Sequence, residues 1–126
     1  HRLAIAQAPN TADVAPGAPG VDHVAYTLES LEDLLCLYMR LKAEDILPVW
    51  PINHGLTTSM YYEDPDGVRV EFQVENFATT DELNAYMTSA AFAANPIGVN
   101  FDPEKLIERF ENGDPMEELI QLGSAS

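Results

Sequence analysis

The chain is poor in positive charge. Six Lys and Arg residues stand against 21 Asp and Glu residues, which gives a formal net charge of −15 at pH 7. A field of that sign repels phosphate groups, so nucleic acids and anionic membrane surfaces are both excluded as expected partners. We interpret the acidity mainly as a source of solubility, because much of it follows residue 75, away from the motifs described below.

The sequence also has little cysteine and no long apolar run. A single cysteine, Cys36, excludes an intrachain disulfide and fits a reducing compartment. No apolar run approaches the roughly 20 residues that span a bilayer, and residues 1–7 do not resemble a signal peptide. We therefore expect a cytoplasmic protein. Cys36 lies between leucines in a helical pattern, where an inert, packed thiol is expected.

The length and the hydrophobic content of the sequence are sufficient for one folded domain. Its 126 residues are 46% hydrophobic, which suits a globular domain with a modest core. Residues 1–7 include a short predicted strand, and the Pro-, Gly- and Ala-rich residues 8–20 indicate a linker. Residues 21–27 predict a second strand, in which His23 shares a face with Val21 and Ala25.

A helix is predicted next. Ser30 is a candidate N-cap, with Asp33 at the capping-box position. From Asp45 the chain should run extended, because Pro48 and Pro51 prevent a helix from continuing. One buried stripe at helical spacing is formed by Leu31, Leu34, Leu35, Tyr38 and Leu41.

Two further strands, residues 57–63 and 68–74, flank the turn Asp64-Pro65-Asp66-Gly67. The order of Asp, Pro and Gly in this turn suits a type I turn followed by Gly in the left-handed region. That bulged loop sets the register, so we predict Tyr61 opposite Glu71 on one face of the sheet. The opposite face of the second strand is apolar and expected to be core: Val68, Val70, Phe72 and Val74.

Beyond residue 75 the pattern becomes helical. Residues 81–91 predict one helix, and Asp102-Pro103-Glu104 supplies an N-cap, a first-turn Pro and a first-turn acid. Asp114-Pro115 repeats this start for a short helix to about residue 122. We expect these helices to pack outside the sheet or against another subunit, without a catalytic group. Their apolar stripes are Leu106, Ile107 and Phe110, and Met116, Leu119 and Ile120. The whole order predicts an α+β fold.

Two segments carry a resemblance to a known family. Residues 20–26, Gly-Val-Asp-His-Val-Ala-Tyr, are similar to the ligand-bearing first strand of a vicinal-oxygen-chelate module, and residues 64–72 to its closing hairpin. The chain most resembles the type I extradiol ring-cleaving dioxygenases of that superfamily, which also includes glyoxalases and bleomycin resistance proteins. The resemblance implies a βαβββ module over residues 21–75 and a helical extension over 76–126. It also implies that residues 1–7 are the last strand of a truncated first module.

In this superfamily two modules form a cup around a divalent metal. The resemblance implies that His23 and Glu71 are two of three Fe(II) ligands, with Mn, Zn or Ni as the alternative metal. A site that admits both a catecholate and dioxygen needs two His and one carboxylate on one face of the metal, with the other positions open. The third ligand is expected from a missing N-terminal module or from another chain of a homo-oligomer.

All three histidines of the chain fall where the family places functional ones. His54 and Tyr61 resemble the pair that hydrogen-bonds the metal-bound substrate oxygen. His1 resembles an acid–base group on the last strand of the first module, a role that suits an imidazole because it titrates near working pH. His1 fits an ordinary surface residue equally well.

Taken singly, these residues also have ordinary structural explanations. A lone His on a strand is commonly a hydrogen-bonded core residue, and a Glu in a sheet is commonly solvated. The complete pattern favours cleavage of a small aromatic diol with dioxygen. Two alternatives stay open: a glyoxalase-like isomerase or lyase, which does not need the His54 and Tyr61 pair, and a non-catalytic module that binds a planar ligand in the same cup.

Overall fold

A computed structural model describes residues 21–126 of the chain. The predicted opening strand, the linker and His1 lie outside the described residues. The elements of the first half are β1 (His23–Thr27), α1 (Leu31–Lys42), β2 (Trp50–Asn53), β3 (Thr57–Glu63) and β4 (Arg69–Glu75). Those of the second half are α2 (Thr80–Met87), α3 (Ala90–Ala94), β5 (Val99–Asn100), α4 (Pro103–Glu111) and α5 (Met116–Leu119).

The strands form one five-stranded mixed sheet in the order β1-β4-β3-β2-β5. β1 runs parallel to β4, and the other neighbouring strands are antiparallel. The predicted α+β fold is therefore confirmed. β5 was not predicted, because two residues are too few to show the alternation of apolar and polar side chains that marks a strand.

Helix α1 forms as its cap and stripe predict. The Ser30 hydroxyl accepts a hydrogen bond from the Asp33 backbone N–H at 3.1 Å and donates one to the Asp33 carboxylate at 2.7 Å. The first four residues of the predicted stripe are buried, and Leu41 packs against them. Cys36 is exposed, so the prediction of a packed thiol was wrong. One step beyond the buried Leu35 turns a helix by about 100°, which carries Cys36 away from the core.

The core lies on one face of the sheet. Met60 and Tyr62 of β3 join the α1 stripe in a single cluster, to which α4 and α5 add Leu106 and Leu119. Helices α4 and α5 therefore pack on the same side of the sheet as α1. Because side chains alternate along a strand, Ser59 and Tyr61 point to the opposite face.

The predicted apolar face of β4 is core only in part. Val74 is buried and Phe72 packs against the core cluster, but Val70 is half-buried and Val68 is 46% exposed. Val68 lies outside the core because β4 begins at Arg69, which leaves Val68 in the loop at the tip of the hairpin.

The predicted helix over residues 81–91 is two helices. A complete capping box between Thr79 and Glu82 starts α2. The Thr88 hydroxyl then donates to backbone carbonyls of the preceding turn, and Ser89 caps α3 through the Phe92 backbone N–H. Hydroxyl side chains that bond to the backbone in this way compete with helical continuation, which explains the break.

The two Asp-Pro signals have different outcomes. Asp102 caps α4 by accepting from the Glu104 backbone N–H at 2.9 Å, as predicted. Asp114 does not cap α5, because its carboxylate binds Arg109 Nε at 2.6 Å, and α5 starts after Pro115 without a side-chain cap. The short helix also ends at Leu119 and not near residue 122. None of the helices in the described part of the chain is long and apolar enough to cross a membrane.

Candidate functional site

The β3–β4 hairpin places the first pair of predicted site residues together. Tyr61 pairs with Glu71 across the two strands, so the predicted register is confirmed. The turn is held by the Asp64 carboxylate, which accepts from the backbone N–H groups of Asp66 at 2.9 Å and Val68 at 2.8 Å. Gly67 has a φ of +80°, the left-handed conformation that the bulged loop requires.

The parallel pairing of β1 with β4 brings His23 to Glu71. Nε2 of His23 lies 3.2 Å from Oε2 of Glu71. Glu71 is only 4% exposed, whereas His23 is half-buried at the edge strand. Burying a carboxylate is costly in free energy unless the carboxylate is paired or coordinates a metal. The buried carboxylate of Glu71 therefore requires a partner.

Asp22 orients the ring of His23 from the other side. Its carboxylate lies 2.8 Å from His23 Nδ1, and this hydrogen bond from the imidazole holds the pKa of the Asp22 carboxyl below its usual value. Because a carboxylate only accepts, the hydrogen of this bond is on Nδ1, which leaves Nε2 of a neutral His23 as a lone-pair donor for a metal on the side of Glu71. This is the arrangement that orients metal-binding histidines. Asp22 was not among the residues predicted from the sequence, although its position directly before His23 is a signal that the sequence contains.

Nε2 of His23 and Oε2 of Glu71 are spaced as two neighbouring ligands of one divalent metal ion would be. Metal–N and metal–O bonds are about 2.0–2.2 Å, so donors at adjacent coordination positions lie about 3 Å apart. The separation of 3.2 Å between His23 Nε2 and Glu71 Oε2 is close to that value. Within residues 21–126, no group of three His, Cys, Asp or Glu side chains could hold a metal ion.

His54 and Tyr61 form a second pair next to these two residues. His54 Nε2 lies 3.2 Å from the Tyr61 hydroxyl, and the Tyr61 ring stands edge-on to His23 with 5.2 Å between centroids. Burial, and then the neighbouring Glu71 carboxylate, raise the pKa of the Tyr61 hydroxyl above its ordinary value. Tyr61 therefore keeps its proton at neutral pH and is a hydrogen-bond donor. The structure brings His23, Glu71, Tyr61 and His54 into one cluster.

Trp50 completes the aromatic side of the cluster. Its ring lies 5.0 Å from that of Tyr61 at an interplanar angle of 30°, and 5.7 Å from that of His54 at 90°. Trp50 was not among the site residues predicted from the sequence. Trp50 is the only tryptophan in the chain, but its place depends on the pairing of β2 with β3, which sets Trp50 opposite Tyr61.

Comparison with known proteins gives a consistent result. Residues 1–72 match the Glyoxalase/Bleomycin resistance protein/Dioxygenase superfamily. The chain is 46% identical over 120 residues to biphenyl-2,3-diol 1,2-dioxygenase 2 of Rhodococcus globerulus, which covers 94% of the chain and 63% of that relative. It is 40% identical over 121 residues to biphenyl-2,3-diol 1,2-dioxygenase 3 of the same organism, which covers 94% of the chain and 64% of the relative.

The chain thus spans somewhat less than two thirds of the length of these curated relatives. No solved structure matches the chain significantly.

Proposed function

Because the chain belongs to the Glyoxalase/Bleomycin resistance protein/Dioxygenase superfamily, we propose that it is part of an extradiol-type dioxygenase, which uses Fe(II) and dioxygen to cleave the ring of a catechol. The two relatives, both named biphenyl-2,3-diol 1,2-dioxygenases, support this class of substrate. The observation that carries the proposal is the pair of donor atoms of His23 and Glu71, 3.2 Å apart and next to the His54 and Tyr61 pair.

In this proposal residues 21–75 are the site-bearing module and residues 76–126 its helical extension. His23 and Glu71 hold the iron, and Asp22 keeps the His23 ring in the ligating tautomer. The third ligand would be a histidine of another module or of another chain, as the two-module cup of the superfamily implies. When bound, Fe(II) orients the diol and dioxygen and passes electron density between them.

The other side chains of the cluster handle the substrate and its protons. Tyr61 is protonated at neutral pH, and burial and Glu71 raise its pKa further, so its hydroxyl can donate to a substrate oxygen. His54 Nε2 is then available to accept a proton or a hydrogen bond from a substrate hydroxyl. Trp50 provides an aromatic wall beside both residues, which suits a planar substrate. His1 remains our proposed acid–base group, outside the described residues.

The His54 and Tyr61 pair favours the oxygenase over the other functions considered. A glyoxalase-like isomerase or lyase needs no such pair beside the metal ligands. A non-catalytic module could bind a planar ligand against Trp50 and Tyr61, but it would have no use for a carboxylate buried beside an oriented imidazole.

The test is anaerobic reconstitution of the full-length protein with Fe(II), followed by addition of a catechol and then of air. The expected result is one bound iron and the coloured ring-opened product from at least one member of a panel that includes biphenyl-2,3-diol. Iron binding without cleavage of any panel member would move the isomerase or binding function ahead. Failure to bind iron would contradict the assignment of His23 and Glu71.

A further inference from the structure

The segment of residues 95–100 lies beyond the residues that match the superfamily, yet it contacts the candidate site. Its last two residues form β5, which adds to the sheet edge by pairing Val99 with Asn53 and Asn100 with Ile52. This brings the 95–100 segment alongside the strand that carries Trp50 and leads into His54. Two contacts then reach the site residues themselves.

The first contact is with His54. The Ile97 backbone carbonyl lies 2.5 Å from His54 Nδ1. A carbonyl oxygen can only accept, so the hydrogen of neutral His54 must be on Nδ1, and Nε2 is left as an acceptor facing the Tyr61 hydroxyl at 3.2 Å. The Ile97 carbonyl thereby selects the tautomer in which His54 Nε2 can accept a hydrogen bond from Tyr61 or a proton from a substrate hydroxyl.

The second contact is with Trp50. The indole Nε1–H, which can only donate, gives a hydrogen bond to Asn100 Oδ1 at 2.9 Å. The bond sets the rotation of the indole ring, and that ring packs against Tyr61 and edge-on to His54. Asn100 therefore acts on His54 and Tyr61 indirectly, through its hydrogen bond with Trp50.

The segment is itself built to hold this position. The Asn95 side chain donates to the Gly98 carbonyl and accepts from the Gly98 N–H, both at 2.9 Å. Gly98 has a φ of +113°, and a Cβ at this position would lie only 2.1 Å from the Asn53 carbonyl oxygen. Only glycine permits this close approach to the backbone that precedes His54.

We infer that the 95–100 segment is the positioning element of the active site, in which the Ile97 carbonyl sets the tautomer of His54 and Asn100 sets the orientation of Trp50. The inference rests on the proposed function for the reaction that the pair serves. The tautomer and the ring orientation are properties of the chain alone and can be measured without turnover.

The first test is ¹⁵N NMR of the histidine rings, with His54→Ala used to assign the signals. The expected result is that neutral His54 carries its proton on Nδ1. Gly98→Ala should displace the Ile97 carbonyl and produce a mixture of the two tautomers. A wild-type His54 protonated on Nε2, or a folded Gly98→Ala variant with an unchanged tautomer, would overturn the assignment to Ile97. If Gly98→Ala does not fold, the tautomer of His54 in the wild-type protein still tests the assignment, because protonation on Nε2 would contradict it.

The second test uses Trp50, the only tryptophan in the chain, whose fluorescence reports directly on its surroundings. Asn100→Ala removes the acceptor and should shift the emission to the red, whereas Asn100→Asp keeps an acceptor oxygen and should remain close to wild type. Asn84→Ala, at an exposed position of α2, is the control and should change nothing.

In the reconstituted enzyme, Asn100→Ala should lower kcat roughly tenfold with less effect on KM, since small misplacements of catalytic groups reduce the rate of the chemical step. Asn100→Asp should restore most of the rate. Wild-type emission and wild-type kcat in Asn100→Ala would overturn the role of Asn100. If wild-type protein cleaves no diol, the proposed function fails, while the NMR and fluorescence measurements still decide the positioning contacts.

Discussion

His23 Nε2 and Glu71 Oε2 lie 3.2 Å apart, although the two residues come from the first and last strands of the βαβββ module. The reason is the parallel pairing of β1 with β4, which places Ala25 opposite Glu71. His23 lies two residues before Ala25 in β1, so its side chain is on the same face of the sheet.

Replacing either residue by alanine should abolish iron binding, because each change removes a donor atom from the proposed site. His23→Ala and Glu71→Ala are to be compared with Glu75→Ala, which removes an exposed carboxylate from the same strand and should leave binding intact. The measurement is the iron content after anaerobic loading and desalting. Full retention of iron by Glu71→Ala would show that the ligand assignment is wrong.

Asp22→Asn should weaken metal binding without eliminating it. The amide has the shape of the carboxylate but not its charge, so it holds His23 Nδ1–H less firmly. Loss of such an orienting partner typically costs about 10–100-fold in metal affinity. Competition with a chelator measures the effect, and an affinity equal to that of the wild type would show that Asp22 does not orient the ligand.

Tyr61→Phe and His54→Ala should leave iron bound and slow the reaction, on the order of 10²-fold or more, because they remove the proposed proton and hydrogen-bond partners of the substrate. Steady-state kinetics combined with an iron assay separates this effect from ligand loss. If either variant loses its metal together with its activity, that residue supports the metal centre and not the substrate.

Gly67→Val should destabilise the protein. The backbone at Gly67 has a φ of +80°, and no heavy atom lies within 4 Å of an added Cβ, so the cost is conformational and not steric. For a residue forced into the left-handed region this cost is roughly 1–2 kcal/mol. Gly67→Asn should be milder, since Asn tolerates that region better than β-branched residues. Urea denaturation measures both, and equal stability of the two variants would contradict this account.

The Glu104 carboxylate links α4 to α1, and its contribution should depend on pH. Its pKa is lowered, first by the hydrogen bond from Lys42 and then by that from Tyr38. A depressed pKa in the folded state means that the stabilisation is present above the unfolded pKa and is lost as pH falls through the folded one. Because the side chain is about half exposed, screening limits its contribution to about 1 kcal/mol or less.

Glu104→Gln should therefore be slightly less stable than wild type at neutral pH, and the two proteins should converge in acid, below the folded pKa. Denaturation midpoints measured across that range give the comparison. A difference that persists unchanged at low pH would mean that packing, and not the charge of Glu104, holds the two helices together.

Features that depend on near neighbours in the chain followed from the sequence itself. Ser30 and Asp33 start α1, and the turn that ends in Gly67 sets Tyr61 opposite Glu71, because such patterns act over a few residues. The α+β fold and the buried α1 stripe were equally readable, since the spacing of apolar residues follows the geometry of the element. The resemblance to the family, and not the spacing of the residues alone, predicts His23, His54, Tyr61 and Glu71 as site residues.

Only the tertiary structure decided which of these parts meet. The approach of His23 to Glu71, the position of Trp50 beside Tyr61 and the contacts of the 95–100 segment all depend on strand pairing. The paired strands are distant in the sequence, and the fold brings them together in one order and register. The sequence also did not show which partner Asp114 would bind: its carboxylate binds Arg109 and does not form the predicted helix cap. Nor did it show that β4 begins at Arg69, which leaves Val68 outside the core. Local patterns determine elements because their interactions are short in sequence, whereas a site is assembled by contacts whose partners the chain must fold to bring together.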